Sequence, residues 1–176
     1  MIEPANDTQI VTIRSATSAD EPFLWEMLYL AANMAGDGEV SADAAKTHPY
    51  LAAYIEGWGR ADDLGVIAET QDGRRLFGAA WVRVLTGEHK HYPAVSDGVP
   101  ELAIAVRSEL IGQGLGTQLL IALLDAARGR YPAIVLSVRA ANPARRLYER
   151  LGFVAVDTIV NRVGGTSYVM QVDLDN

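Results

Sequence analysis

The stretch Val106-Arg107-Ser108-Glu109-Leu110-Ile111-Gly112-Gln113-Gly114-Leu115-Gly116-Thr117 restricts this chain more than any other. The strand-like run Glu101–Val106 stops at it. Just beyond, Leu119, Ala122, Leu123 and Ala126 fall at i, i+3, i+4 and i+7, so an amphipathic helix is predicted over 115–127. Glycines at alternate positions separate strand from helix. Gly lacks a Cβ, so successive backbone N–H groups can converge on one point. An interior Gly weakens a helix by about 1 kcal/mol relative to Ala, so helix formation alone does not account for three of them. At a helix N-terminus they make a cradle for an anion. A P-loop needs Gly-Lys-Ser/Thr, and no lysine precedes Thr117. A dinucleotide fingerprint needs its third glycine one residue later than Gly116. Both common nucleotide motifs fail.

The flanking segments supply the rest of a sheet. Val11–Arg14 reads as a first strand. Ser18 is a helix N-cap, with Glu21 completing a capping box, and the stripe Phe23, Leu24, Met27, Leu28, Ala31 carries the helix to Gly36-Asp37-Gly38. A second helical segment is read over 42–58, interrupted at His48-Pro49. Leu64–Glu69 and Leu76–Leu85 form a hairpin about Gln71-Asp72-Gly73, and 86–100 is a loop. Ala133–Val138 is apolar enough for a central buried strand. A short helix over 143–151 precedes a closing hairpin, Phe153–Arg162 with Ser167–Leu174. The order β-α-α-β-β-β-α-β-α-β-β indicates an α+β (mixed α/β) fold with helices packed on a mixed sheet.

Composition sets the class. At 176 residues and 19.0 kDa the chain fits one domain over 1–176, with 1–9 a loose tail. No stretch approaches the roughly 20 apolar residues of a membrane span, and residues 1–7 carry no secretory signal, so a cytoplasmic location is expected. Absence of cysteine removes disulfides, thiolate metal sites and cysteine nucleophiles. A net charge of −7 argues against nucleic acid as a partner. Residues 1–100 hold 7 Lys and Arg against 15 Asp and Glu, whereas 101–176 hold 8 against 7. That asymmetry suits a C-terminal half meeting an anion and an N-terminal half facing a cation.

A second motif, Asn142-Pro143-Ala144-Arg145-Arg146-Leu147-Tyr148-Glu149-Arg150-Leu151-Gly152-Phe153, has Asn142 as N-cap, Pro143 at the first helical position and Gly152 at C′. Ala144, Leu147, Tyr148 and Leu151 share the face that packs on the sheet. On spacing alone, Tyr148 is a buried core aromatic. Together with the glycine loop, however, the segment resembles the GCN5-related N-acetyltransferase (GNAT) superfamily, and the resemblance covers residues 101–153. It implies a mostly antiparallel sheet of about seven strands flanked by about four helices. It also implies acetyl-CoA as co-substrate, in a V-shaped gap between the strand ending at Val106 and the strand 133–138. A bulge in the former would expose the amides of Ile104, Ala105 and Val106 to pantetheine, and one of these would polarise the thioester carbonyl. Gly112, Gln113, Gly114, Gly116 and Thr117 would hold the pyrophosphate. Ile111 stands where the family often has Arg or Gln, which removes one polar contact. Asn142 would contact the cofactor arm and Arg145 would reach a phosphate. Tyr148 matches the family position that protonates the departing sulfur, and Glu101 the position of a base working through water, its bland alternative being a surface carboxylate.

The implied activity is an N-acetyltransferase moving acetyl directly to a primary amine, expected to be a small molecule. Alternatives are a protein N-terminal or lysine acetyltransferase, and a non-catalytic acyl-CoA-binding module. No metal is expected: His89 and His91 read as solvent-exposed loop residues, and Asp37-Gly38-Glu39 as a turn. Trp25, Tyr29, Tyr50, Tyr54 and Trp58, with Glu26, Asp37 and Glu39, are expected to form an aromatic and acidic pocket for a cationic amine. The terminal hairpin, Val154–Val160 with Tyr168–Val172, offers a surface for a homodimer.

Overall fold

The computed structural model describes residues 10–34, 36–39 and 41–174. Seven strands, β1 (Val11–Ser15), β2 (Leu64–Thr70), β3 (Leu76–Arg83), β4 (Glu101–Val106), β5 (Ala133–Arg139), β6 (Val154–Val160) and β7 (Thr166–Asp173), join one sheet in the order β1-β2-β3-β4-β5-β7-β6. The helices are α1 (Glu21–Ala31), α2 (Ala44–Thr47), α3 (Pro49–Ala52), α4 (Leu115–Ala127) and α5 (Arg145–Arg150). The mixed α+β class and the seven strands agree with expectation. Five helices replace about four, because α2 and α3 are single turns.

Every neighbouring pair is antiparallel except β4 and β5. Their parallel register comprises one pair, Glu101 opposite Val135, with Val135 N–H donating to Pro100 O at 3.1 Å. Past it the ladder stops and the strands part, which is the V-shaped gap. Two apolar layers fill the faces. Leu119, Leu120 and Leu123 of α4 pack with Tyr148 and Phe153 on one; Leu24, Met27, Ile55 and Trp81 pack on the other, beneath α1 to α3. The gap therefore opens to both layers. β6 is an edge strand, with Val154, Val156 and Val160 exposed.

Four local expectations are corrected. The capping box lies one residue earlier, where Thr17 N–H donates to Asp20 Oδ2 at 2.7 Å and a 3-10 turn over Ser18–Asp20 leads into α1. The segment 42–58 breaks at His48-Pro49 as expected, but its second part is helical only over Pro49–Ala52. His48 precedes proline and is held extended at φ −97°, ψ 106°, which ends α2, and α3 stops at Ala52. The helix expected over 143–151 is regular only over Arg145–Arg150, yet Asn142 still caps it from outside, Oδ1 accepting from Ala144 N–H at 2.9 Å. Finally, β4 has no bulge. Its register against β3 runs unbroken from Glu101 to Val106, and the irregularities fall in β2 at Ala68/Glu69 and β6 at Ala155/Asp157.

Candidate active site

The parting strands expose backbone without a bulge. Along β4, Arg107 N–H donates to Phe77 O at 2.8 Å on the β3 side, while Pro100 O accepts from Val135 on the β5 side. Alternation along a strand then directs Ile104 and Val106 toward the gap, where β5 has moved away, and engages Ala105 with Ala79. Of the three amides expected to serve pantetheine, those of Ile104 and Val106 face the gap and that of Ala105 turns to β3. A cavity of about 380 Å³ passes through the gap, walled by the end of α1, by Tyr50 and Tyr54, by Leu136–Arg139 of β5, and by Asn142 and Tyr148 on the α5 side.

The glycine loop stands at the rim. Gly112 and Gly114 adopt φ of +83° and +80°, and a Cβ on either would meet nothing within 4 Å. Their requirement is thus conformational: left-handed backbone that a side chain would strain. Gly114 caps α4 and has no side chain to occupy the first-turn N–H groups, so those of Leu115, Gly116 and Thr117 remain available at the helix's positive end. Gly116 is helical, and a Cβ there would lie 3.8 Å from Leu147 Cδ2. Residues 111–114 are exposed, as an anion site must be, and Gln113 Nε2 folds back on Glu109 O at 3.4 Å. The loop fits a diphosphate. Ile111 is 71% exposed and borders the cavity. Arg145 does not border it: its Nε bonds Glu149 at 2.9 Å and its guanidinium lies 4.2 Å over the Tyr168 ring.

The Tyr148 ring packs edge-on against Phe153 at 5.8 Å, and the residue also borders the cavity. Burial pushes its phenol up to about 12, so it stays protonated across the physiological range. α5 presents it because Gly152, at φ +95°, closes the helix with Phe153 N–H on Tyr148 O at 3.0 Å.

Glu101 is no surface carboxylate. It is 3% exposed, accepts from the backbone of His91 at 3.1 Å and lies 2.6 Å from His91 Nδ1, off the line of a good hydrogen bond. His91 is buried, not solvent-exposed as expected, and stacks on Tyr50 at 3.8 Å. Tyr54 and Tyr92 complete the layer, their hydroxyls 3.4 Å apart. Burial first, with neighbouring acidic groups second, pushes both phenols up. Among the described residues no group of three or more His, Cys, Asp or Glu is placed to hold a metal ion.

The acidic pocket is corrected. Glu26 pairs with Arg107 at 3.2 Å, and Asp37 is clamped by Arg139 and Arg162, each at 2.7 Å. The hydrogen bond to Arg139, helped by that to Arg162, holds the Asp37 carboxyl below its usual range. His91, Arg139 and Arg162 escaped the sequence reading. The last two carried one usable signal, a basic excess in the C-terminal half; His91 carried none.

The Acetyltransferase (GNAT) family matches residues 25–153, so the chain belongs to the GNAT acetyltransferases. Comparison with curated proteins gives no match. Among solved structures, it is similar to a chimera of the spermidine N-acetyltransferase SpeG from Vibrio cholerae and hSSAT, at 20% identity and a TM-score of 0.66, covering 93% of this chain and 95% of that one. A protein from Bordetella pertussis assigned to the GNAT family shares 23% identity with a TM-score of 0.67, covering 92% and 95%. A third, yncA from Salmonella typhimurium, solved with its cofactor acetyl-CoA, shares 24% with a TM-score of 0.63, covering 95% of each chain. At these identities the likeness is one of fold. No helix among the described residues is long and apolar enough to cross a membrane.

Proposed function

We propose that this acetyltransferase moves the acetyl group of acetyl-CoA directly to a primary amine on a small molecule, where β4 and β5 part. The observation that carries the reading is the 380 Å³ cavity, which brings the Ile104 and Val106 stretch of β4 and the Tyr148 phenol together with the aromatic wall of Tyr50 and Tyr54. That volume suits a small acceptor. Acetyl-CoA, which yncA contains, supplies an activated acetyl thioester. Gly112 to Thr117 hold its diphosphate by backbone donors, with Gln113 at the rim and Asn142 along the arm. The N–H groups of Ile104 and Val106 align the pantetheine, and one polarises the carbonyl as negative charge develops.

A free amine near pKa 10.4 is mostly protonated at pH 7, so a base is required. Glu101, steadied by His91, takes that proton through water. Tyr148 donates to the leaving sulfur. A phenol near 12 lies about 3.5 units above an ordinary thiol, so it acts by hydrogen-bonding the sulfur as charge builds rather than by delivering the proton early. Calorimetry should show binding of acetyl-CoA and CoA but not of NAD or ATP. Tyr148→Phe keeps the ring against Phe153 and should lose about 100-fold in kcat. Silence toward acetyl-CoA in folded protein refutes the reading; full turnover by Tyr148→Phe removes the donor role alone.

A further inference from the structure

Among the described residues, the charged side chains bordering the cavity are Arg139 and Arg162, and no Asp or Glu borders it. Asp37 stands behind both. Its Oδ1 and Oδ2 accept from Arg139 at 3.0 and 2.7 Å, and Oδ2 accepts also from Arg162 at 2.7 Å. One carboxylate thus answers two guanidinium groups. Both arginines donate further to Ala32 O, at 3.3 and 3.0 Å, which fixes their planes against the end of α1. Among the described residues, nothing accepts from Arg139 Nε or from Nε and Nη1 of Arg162, although the side chains are only 30% and 18% exposed. These are preorganised, part-buried donors with a surplus positive charge.

We infer that Arg162 and Arg139 form a subsite for a carboxylate carried by the acceptor, so that the substrate is a primary amine bearing an acidic group; this rests on the acetyl-transfer reading above. A fixed guanidinium plane suits a carboxylate in a way a mobile ammonium does not. Position agrees. The pair is anchored to the α1 face, whereas the glycine loop begins α4 on the other face, so the arginines serve the acceptor rather than the diphosphate. Tyr50 borders the cavity and stacks at 3.8 Å on His91, which contacts Glu101, while Arg162 borders the same cavity, so an axis runs from the Glu101 side to Arg162. A bipolar ligand fits that axis, with the amine toward Glu101 and the carboxylate toward Arg162. A polyamine would bring a second cation against two guanidinium groups, with no acidic side chain among the described residues bordering the cavity to receive it.

The test is steady-state acetylation at saturating acetyl-CoA. The probes are L-leucine, L-phenylalanine and γ-aminobutyrate, each beside its carboxamide, together with spermidine and spermine. At least one acid should exceed its amide by about tenfold or more in kcat/KM, as expected for a hydrogen-bonded charged group. Arg162→Gln leaves the Arg139–Asp37 pair to hold the loop. It should raise the acid's KM about tenfold, erase the preference over the amide and leave the KM of acetyl-CoA unchanged; Arg162→Lys should recover part of the loss. Equal use of acid and amide, preference for spermidine or spermine, or acceptance of none of the acids overturns the subsite. A change confined to the KM of acetyl-CoA overturns it too, assigning the arginines to a cofactor phosphate. Folded protein that binds no acetyl-CoA overturns the acetyl-transfer reading and the subsite together.

Discussion

Replacing Asp63 by Asn would leave Arg83 charged, fully buried and without its counter-ion. Their side chains are 2% and 0% exposed, joined by Nε–Oδ1 and Nη2–Oδ2 contacts of 2.9 and 2.8 Å. Asn keeps one acceptor, but its amide would point donors at a guanidinium or at the backbone N–H groups of Gly59 and Arg60, both 2.9 Å from Oδ2. Breaking a buried pair from one side costs about 3–5 kcal/mol. Unfolding entropy for a chain of 176 residues is roughly 0.37 kcal/mol per degree, so the Tm should fall by roughly 8–14 °C in thermal melts at pH 7. Burial alone would raise the Asp63 carboxyl, but Arg83 and the two backbone amides outweigh it and hold the group below 3.8. A depressed carboxylate stabilises above the unfolded value and ceases to as pH falls through the folded one. The gap between native protein and variant should therefore be constant above about pH 5 and close below about pH 4. Arg83 also donates to the carbonyls of Ala53 and Glu56, at 3.2 and 2.7 Å, which hold Tyr54 in the acceptor wall. Acceptor KM should rise while that of acetyl-CoA holds. A Tm loss under about 2 °C, or a gap independent of pH, would refute the argument.

Gly114→Ala strains a left-handed cap by about 1–2 kcal/mol and turns its amides aside, so calorimetry should show weaker acetyl-CoA binding with acceptor KM unchanged; unaltered affinity would dismiss the cradle. Glu101→Gln should lower kcat about 100-fold at neutral pH; unchanged turnover would place the base elsewhere. The raised phenols of Tyr54, Tyr92 and Tyr148 stabilise fully below about pH 10 and lose that contribution as pH climbs through their folded values. Urea melts should thus show no tyrosine-linked loss until pH exceeds about 10.

The sequence disclosed elements whose ends are set locally. The helix predicted over 115–127 appears as Leu115–Ala127, because a left-handed glycine fixes its start and its apolar stripe fixes its face. The strand 133–138 was legible from its unbroken apolar run, and α5 from Asn142 and Gly152. The break at His48-Pro49 was legible too, since a residue before proline avoids helical backbone. What failed was decided at a distance. Beyond the break the stripe over 42–58 survives as burial of Leu51, Tyr54 and Ile55, although α3 stops at Ala52. No periodicity announces that β7 inserts between β5 and β6, or that β4 and β5 share one register pair. Alternation along β4 nonetheless delivers the free amides of Ile104 and Val106, so the expected consequence of a bulge arises from separation of the strands. His91 was invisible because its meaning comes from Glu101, ten residues on, and from a ring on α3.

The charge asymmetry shows how composition can be sound while its use is misread. An acidic N-terminal half and a nearly balanced C-terminal half suggested two surfaces facing two ligands. Instead the halves meet across the cleft: Glu26 with Arg107 at the end of β4, and Asp37 with Arg139 at the end of β5 and Arg162 in the β6–β7 turn. Acid and base thereby fasten α1 and the segment after it to both arms of the V. Partly exposed pairs are individually weak and screened by salt. The Asp63–Arg83 pair deeper on the same face is neither, since both side chains are buried. The acceptor wall is thus fixed at its base by a buried pair and at its rim by part-exposed pairs, and only the latter are open to screening by salt.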